Sequence, residues 1–459
     1  MNIQRPTLTG RPEWLVVRAF ALAIAAGALL LCLPLCNAQG RWTPPLTALF
    51  TATSAVCVTG LTVVEVGAYF SLPGQLVILA LIQLGGLGIM TLGTFLLVLV
   101  GRRLGLQDEF VLMDALGYDR IRGLSSLLKR TVLFTFALET AGTLVLSWRL
   151  VTAHGQAWGP ALYAGGFHAV SAFCNAGFSL WRDSVIGLRR DPVILLALMA
   201  LIVLGGLGFL VLHDLTSIRF WRRDRLARGR LALHTRIVLK TSGILLLAGW
   251  GLFALLEWGQ TLAPLAPGER WLVALFQAVT PRTAGFNAVD MAALRPATLF
   301  LTMGLMFIGG SPCSTAGGIK TTTMAVLWRA VLAMLHGKVE VVSHGRSVSA
   351  QVVREALCIL LLGAVCVAAV FELLLVLERP VAPAAGLSAA DALLFETVSA
   401  FGTVGLTTGI TPALGGAGRV LIMLAMFVGR LGPLTLALVI GKREMRQVIR
   451  YPEETVIVG

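Results

Sequence analysis

Four short segments of this sequence resemble one another, and each has a glycine at its centre. They are Ala55–Thr62, Ala172–Ser179, Thr280–Asn287 and Ala400–Thr407, and their central glycines are 117, 108 and 120 residues apart. Glycine adopts left-handed backbone conformations without steric cost, so it lets a strand aim successive carbonyl groups to one side. A ring of such carbonyls replaces the hydration shell of a cation. The pattern therefore predicts four loops that together bind a dehydrated cation.

Each segment contributes three consecutive residues to a predicted filter, the narrow cation-binding part of a pore. The residue before each central glycine is small or β-branched, which suits a narrow strand. The predicted filter residues are Val58, Thr59, Gly60, Asn175, Ala176, Gly177, Thr283, Ala284, Gly285, Thr403, Val404 and Gly405. A single loop of this kind would be read as a simple turn, but four equivalent loops favour the filter.

The composition places these loops in a membrane. The chain has 459 residues, of which 57% are hydrophobic and only 13% are charged, whereas a soluble domain carries about 25% charged residues. Eight apolar runs are long enough for a bilayer crossing, which takes roughly 20 residues. The runs are 14–36, 73–100, 128–151, 192–216, 236–256, 296–335 with an interruption, 352–377 and 417–441. We expect an all-α polytopic membrane protein.

The runs and the glycine segments together predict four tandem repeats, each consisting of a helix, a pore loop and a helix, around a central pore. The repeats are expected at residues 1–110, 111–230, 231–346 and 347–459. The short pore helices are expected at 45–57, 161–173, 271–282 and 391–401. A second glycine cluster follows each filter, at Leu84–Gly88, Leu204–Gly208, Ile308–Pro312 and Val428–Pro433. Small residues there allow helices to approach closely or to bend.

The basic residues indicate the orientation. The net charge is +14, and most of the basic residues fall in alternate loops: Arg102 and Arg103, the run 219–230, Lys338 with Arg346, and Lys442 with Arg443. The positive-inside rule makes that side cytoplasmic, so both termini are expected in the cytoplasm and the filter loops enter from outside. A basic cytoplasmic face attracts anionic membrane lipids or an acidic partner. Because the charge follows topology, it does not indicate nucleic-acid binding.

The third inner helix is predicted to be broken and to carry a gate. Proline and four glycines exclude a regular helix there. The predicted gate residues are Gly309, Gly310, Ser311, Pro312, Cys313, Ser314, Thr315, Ala316, Gly317, Gly318, Lys320 and Arg430. Arg430 lies at the same depth in the fourth inner helix, where it binds loop carbonyls or pairs with an acid. The alternative for the loop is a packed kink. Glu139, Glu372 and Glu396 are either functional or structural acids within the membrane.

These features resemble the Trk/Ktr/HKT superfamily of potassium transporters across almost the whole chain, in particular its KtrB-like membrane subunits. The four single-glycine filters, the loop Gly309–Gly318, Arg430 and the tail Arg450–Glu454 carry the resemblance. It implies K+ uptake across a bacterial inner (cytoplasmic) membrane, with K+ bound by the filter carbonyls. It also implies a homodimer and a separate cytosolic nucleotide-binding regulator of the KtrA or TrkA type. Glycine at all four filter centres goes with potassium selectivity in the family.

Some alternatives stay open at this point. Na+ is a candidate activating or coupled ion, although no motif establishes it, and no cofactor is expected in this chain. A secondary transporter with alternating access would have broken helices paired between its halves, often in inverted repeats. Here each repeat contains two crossings and keeps the same orientation, which favours a pore. No paired carboxylates, histidine metal site or Ser/His arrangement indicates an enzyme.

Overall fold

The computed structural model describes residues 12–88, 124–217, 231–338, 340–343, 345–378 and 387–432. The basic loops at Arg102 and 219–230, the residues from Lys442 onward and the tail Arg450–Glu454 lie outside the described residues. Within them, the fold is helical apart from one antiparallel hairpin. Its strands are β1 (Val341–Ser343) and β2 (Arg346–Val348).

Four successive helical units share one order of elements: a long helix, a short helix, an irregular strand with the central glycine, and a third helix. The first and second units contain α1 (Pro12–Cys32), α2 (Pro45–Val56), α3 (Leu72–Leu87), α4 (Leu124–His154), α5 (Trp158–Phe173), α6 (Pro192–Leu207) and α7 (Phe209–Ser217). The third and fourth contain α8 (Leu233–Glu257), α9 (Pro267–Val279), α10 (Pro296–Phe307), α11 (Thr321–Leu335), α12 (Ala350–Leu377), α13 (Ala389–Gly402) and α14 (Gly416–Leu431).

The short helices α2, α5, α9 and α13 coincide, within a few residues at each end, with the segments predicted as pore helices, and they keep that name below. With 12 to 16 residues each, they are too short for a bilayer crossing. Proline at the first turn of α2 and of α9 presets the helical backbone where an N–H group is not needed. Most of their side chains near the filter are buried on every face, which places these helices inside the ring of longer ones.

Contacts between neighbouring units close into a ring. The third helix of each unit packs against the short helix of the next: α3 on α5, α6 on α9, α10 on α13, and α14 back on α2. Each long helix also packs on the short helix of its own unit. The four irregular strands therefore meet at a common centre, surrounded by helix ends.

The third helices differ from the simple crossings expected from the apolar runs. By length and hydropathy, three of the described helices could cross a membrane. They are α8, α12 and the part of α4 from Arg130 to His154. A fourth crossing results if α6 and α7 are taken together, but this pair is bent by 99°. Gly208 at the bend has φ +95°, which no regular helix contains, and the Phe209 N–H donates instead to Cys313 O at 2.8 Å.

Candidate ion-conduction site

The four predicted filter strands follow one backbone path. Their central glycines all have positive φ: +92° at Gly60, +69° at Gly177, +77° at Gly285 and +91° at Gly405. The residue two positions earlier is also left-handed in every strand. These residues are Val58, Asn175, Thr283 and Thr403, with φ between +50° and +72°. Positive φ is uncommon for such residues, so its recurrence at one position shows that the strands are built alike.

The central glycines contact one another in a closed cycle. A Cβ added to Gly60 would lie within 3.0 Å of Ala176 O, and one added to Gly177 would lie 2.8 Å from Ala284 O. A Cβ added to Gly285 would lie within 3.0 Å of Val404 O, and one added to Gly405 would lie within 3.0 Å of Thr59 O. Each glycine therefore faces the carbonyl group that precedes the next glycine, and any side chain would displace it. The cycle follows the same order as the helix contacts.

Hydroxyl groups at the C-terminal ends of the pore helices form hydrogen bonds with the backbone of the four strands. The sequence analysis did not predict these bonds. Ser54 Oγ accepts from the Gly60 N–H at 3.0 Å, and Ser399 Oγ accepts from the Gly405 N–H at 3.1 Å. In the other two units the hydroxyl donates to the carbonyl group of the residue that follows the central glycine. Ser171 Oγ donates to Phe178 O at 2.8 Å, and Thr280 Oγ1 donates to Phe286 O at 2.5 Å. A serine or threonine lies five or six residues before every central glycine, and this recurrence in the sequence could have indicated the hydrogen bonds.

The ring of central glycines opens on one side to a cavity of about 950 Å³, here called the vestibule. All four central glycines line it, as do the carboxylate-bearing residues Glu65, Asp183 and Asp290. Arg182 also lies there and forms an exposed ion pair with Glu65 at 3.1 Å. A cleft lined by more acids than bases raises the local cation concentration, so a cation can collect in front of the ring.

The loop between α10 and α11 packs against the C-terminal ends of α5 and α13. Its Thr315 N–H donates to Gly205 O at 3.3 Å, and its Thr315 hydroxyl donates to Phe173 O at 3.1 Å. The Ser311 N–H donates to Gly206 O at 3.1 Å. The loop of the third unit is thus bound to α5 and α6 of the second unit. The acceptors are carbonyl groups in the last turns of these helices, which have no partner within the helix.

Two cations hold the same loop. Arg430 in α14 donates one guanidinium N–H to Thr315 O and another to Gly85 O of α3. Lys320 Nζ donates to Ala316 O at 2.7 Å, which ties the end of the loop to its middle. Neither forms an ion pair within the part of the chain that the structure describes. The loop and Arg430 therefore connect all four units, and the prediction that Arg430 binds loop carbonyls agrees with the geometry.

The predicted glycine clusters allow third helices to touch the pore-helix ends. A Cβ at Gly85, Gly205 or Gly429 would come within 3.0 Å of Val56 O, Phe173 O or Phe401 O, respectively. In the third unit, Gly309 instead faces Gly317 O of its own loop. The carbonyl ends of the pore helices, which favour cations, are therefore covered by bare backbone rather than by side chains.

The three acids have different surroundings. Glu396 is buried behind the fourth filter strand and accepts hydrogen bonds from the Thr407 hydroxyl and, at 3.0 Å, from the Thr411 hydroxyl. Glu139 is buried against Gln83, whose Nε2 lies 3.3 Å from its Oε2. Glu372 is exposed on α12. Glu139 also accepts from Cys174 Sγ at 3.8 Å, and Cys174 immediately precedes the predicted filter residue Asn175.

Charged side chains of two helices meet at the start of α6. Asp191 caps this helix by accepting from the N–H groups of Val193 and Ile194 at 3.0 and 3.3 Å. Burial alone would raise the pKa of Asp191, but hydrogen bonds from Arg149 and His154 outweigh it and lower that pKa. Asp191 thus joins α4 to α6, which supports the second filter strand.

The fold and the site define a membrane transport protein rather than an enzyme. The chain belongs to the TrkH family of cation transport proteins, whose profile matches residues 30–447. It is 40% identical to Ktr system potassium uptake protein B of Bacillus subtilis over 98% of this chain and 97% of that protein. It is 35% identical to the potassium/sodium uptake protein NtpJ of Enterococcus hirae over 98% and 97% of the two chains. The crystal structure of the potassium transporter TrkH from Vibrio parahaemolyticus superimposes with a TM-score of 0.71 at 20% identity, covering 96% of this chain and 86% of that one.

Proposed function

We propose that this chain is the membrane subunit of a bacterial K+ uptake system and conducts K+ through the ring around Gly60, Gly177, Gly285 and Gly405. The observation that carries the proposal is the closed cycle in which each central glycine faces the carbonyl group before the next. Backbone carbonyls in such a ring replace the hydration shell of K+. The names of the relatives, which include potassium uptake and potassium/sodium uptake, fit this cargo.

The topology belongs to the same proposal. Four repeats with eight crossings would place the vestibule outside the cell and the loop Gly309–Gly318 on the cytoplasmic side of the filter, with both termini in the cytoplasm of an inner-membrane protein. The short, bent or interrupted third helices then act as the inner walls. Their irregular backbone is acceptable in a membrane because it lines the passage or is buried in protein.

The loop Gly309–Gly318 is the gate of this proposal, and the described conformation is the closed one. It crosses below the ring and binds the second unit directly, while Arg430 ties it to the fourth and first units. A backbone segment and two cations on the ion path oppose K+ both sterically and electrostatically. Opening requires Thr315 and Ser311 to leave their carbonyl partners.

Homodimer formation and control by a cytosolic nucleotide-binding subunit complete the proposal. The words "Ktr system" and "protein B" in two relatives' names denote one component of a larger system. The direct test is rescue of a K+-uptake-deficient bacterium at low external K+, with this chain expressed alone and with the regulator. Rescue that requires this chain is expected. Failure at all K+ concentrations, despite normal membrane insertion, would contradict the proposal.

An alternating-access transporter remains the second reading, and one feature separates the two. Alternating access predicts interrupted helices paired between two halves. Here positive-φ glycines end α3, α6 and α14, at Gly88, Gly208 and Gly432, and the loop interrupts the third unit. Within the described residues, the third helix therefore ends at an equivalent place in every unit, which favours a pore. Single-channel recording of the reconstituted protein with its regulator tests this, because only a pore gives discrete current steps.

A further inference from the structure

A cavity of about 460 Å³ lies between α8 and α11, outside the ring. Ligand sites typically have volumes of about 300–1,000 Å³. Most of the lining is aliphatic or aromatic and comes from α8, α11 and Ile308, and the hairpin β1–β2 contributes Ser343 and Val348. The two charged residues of the lining are Lys240 and Arg329. The cavity thus combines an apolar body with a cationic part.

In the topology of the proposed function, on which this inference rests, both cations lie at the depth of the inner membrane surface. From Lys240 to the outer end of α8 at Glu257, the helix rises by roughly 25 Å at ~1.5 Å per residue, close to the ~30 Å hydrocarbon thickness of a bilayer. Arg329 lies roughly 12 Å along α11 from Thr321, where the helix leaves the loop below the filter. Two independent helices therefore place these charges at the level of lipid headgroups.

The surroundings of Lys240 are those of a lipid-facing surface. Its side chain is exposed, as are Ile244 and Leu247 on the following turns, at 55% and 65%. Among the described residues no hydrogen bond or ion pair is found for the Lys240 ammonium. Arg329 donates one N–H to Val342 O at 3.3 Å, and this leaves most of its five donors for another acceptor.

The cavity is apolar at the opposite end. Ile308 immediately precedes the loop Gly309–Gly318, and Met324 lies in the first turn of α11 after it. The cavity therefore runs from two cations at the cytoplasmic surface to apolar side chains near the middle of the bilayer. An ammonium or guanidinium group at a membrane surface attracts anionic lipid, and an acyl chain matches the remaining lining.

We propose that this cavity binds an anionic phospholipid, with the phosphate between Lys240 and Arg329 and one acyl chain against Ile308 and Met324. The bound lipid would stand directly beside the segment that leads into the loop. Neutral phosphatidylcholine fits the apolar part equally well but gains less from the two cations. The expected preference for the anionic lipid is roughly fivefold per charge.

The second unit contains a matched control. A cavity of about 260 Å³ lies at the corresponding place between α4 and α7, and its lining includes Arg130 and His213. It is smaller and has one permanent cation. Arg130→Gln therefore removes a similar charge at a similar depth without touching the proposed lipid site.

The test uses the full-length chain in vesicles that contain either dibrominated phosphatidylglycerol or dibrominated phosphatidylcholine, because bromine quenches a tryptophan that it contacts. Trp328 lines the cavity, and the difference in fluorescence between wild type and Trp328→Phe isolates its signal. We expect Trp328 to be quenched at a roughly 25-fold lower mole fraction of the anionic lipid, about fivefold for each of the two charges. The double variant Lys240→Gln/Arg329→Gln should abolish this preference, while Lys240→Arg and Arg130→Gln should retain it.

Equal quenching of Trp328 by the two lipids would overturn the proposal, as would a preference that survives in the double variant. Protection of Trp328 from both lipids would do the same, because a second copy of the chain would then cover the cavity. If the double variant does not insert, Lys240→Gln alone leaves the bond between Arg329 and Val342 intact and should lower the preference by roughly fivefold.

Discussion

Replacing Gly60 by serine is the sharpest test of the filter. Gly60 has φ +92°, where a side chain costs about 1–3 kcal/mol of backbone strain. The new Cβ would also lie within 3.0 Å of Ala176 O in the next strand. That carbonyl is one of the proposed K+ ligands, so the strain is relieved only by moving a ligand of the ion.

The expected size follows from this coupling. If the difference in binding free energy between K+ and Na+ decreases by about 1–3 kcal/mol, the selectivity for K+ over Na+ falls by roughly five- to 150-fold. We therefore expect Gly60→Ser to lower the ratio of K+ to Na+ transport at least fivefold, at the lower limit of that range. The assay is uptake of rubidium as a K+ tracer into vesicles against increasing external Na+, normalised to inserted protein.

Gly40→Ser is the matched control for this measurement. Gly40 also has positive φ, at +67°, but no atom lies within 4 Å of an added Cβ. The control variant should bear similar strain and keep its selectivity. Unchanged selectivity in Gly60→Ser with normal insertion, or an equal loss in Gly40→Ser, would refute the reasoning that links the glycine to the ligand ring.

Three further predictions concern the gate, the support of the filter and the partner. Arg430→Ala, or a loop shortened across Pro312–Ala316, should raise K+ flux and weaken its dependence on the regulator; a uniform loss of flux per inserted protein would support a packing kink instead. Glu396→Ala should leave the hydroxyls of Thr407 and Thr411 without their acceptor, cost about 1–3 kcal/mol and reduce uptake, whereas Glu396→Gln keeps an acceptor oxygen and should be milder, as thermal unfolding and uptake assays can show. A purified regulator should bind this chain as a stable dimer and make flux respond to nucleotide, and identical flux with and without it would exclude that role.

The sequence was sufficient where backbone conformation depends on residue type. Four recurring glycines predicted the left-handed positions at Gly60 and its equivalents, and Pro312 among glycines predicted the interrupted third helix. Both follow from local sterics, which act wherever the segment lies. The extent of each short helix was also predictable, because apolar runs and filter segments bound it on both sides.

What the sequence did not reveal depends on directions in space. Ser54 and Ser171 occupy similar positions, yet one accepts from a glycine N–H and the other donates to a carbonyl, which a residue pattern does not distinguish. The cluster Leu204–Gly208 allowed for a bend, but its size of 99° could not be predicted, because the apolar run continues through it. The partner that makes the bend acceptable, Cys313 O, comes from a loop more than 100 residues away.

The loop proposed as the gate belongs to one unit, although the ring of glycines is formed by all four. In a channel assembled from four identical subunits, any substitution changes every quarter of the wall at once. Here the segment Gly309–Gly318 occurs once for the ring of four strands, so substitutions in the proposed gate leave the other three units unchanged. With the gate as proposed, one chemical label on this segment is expected to change flux through the whole ring, at a stoichiometry of one label per chain.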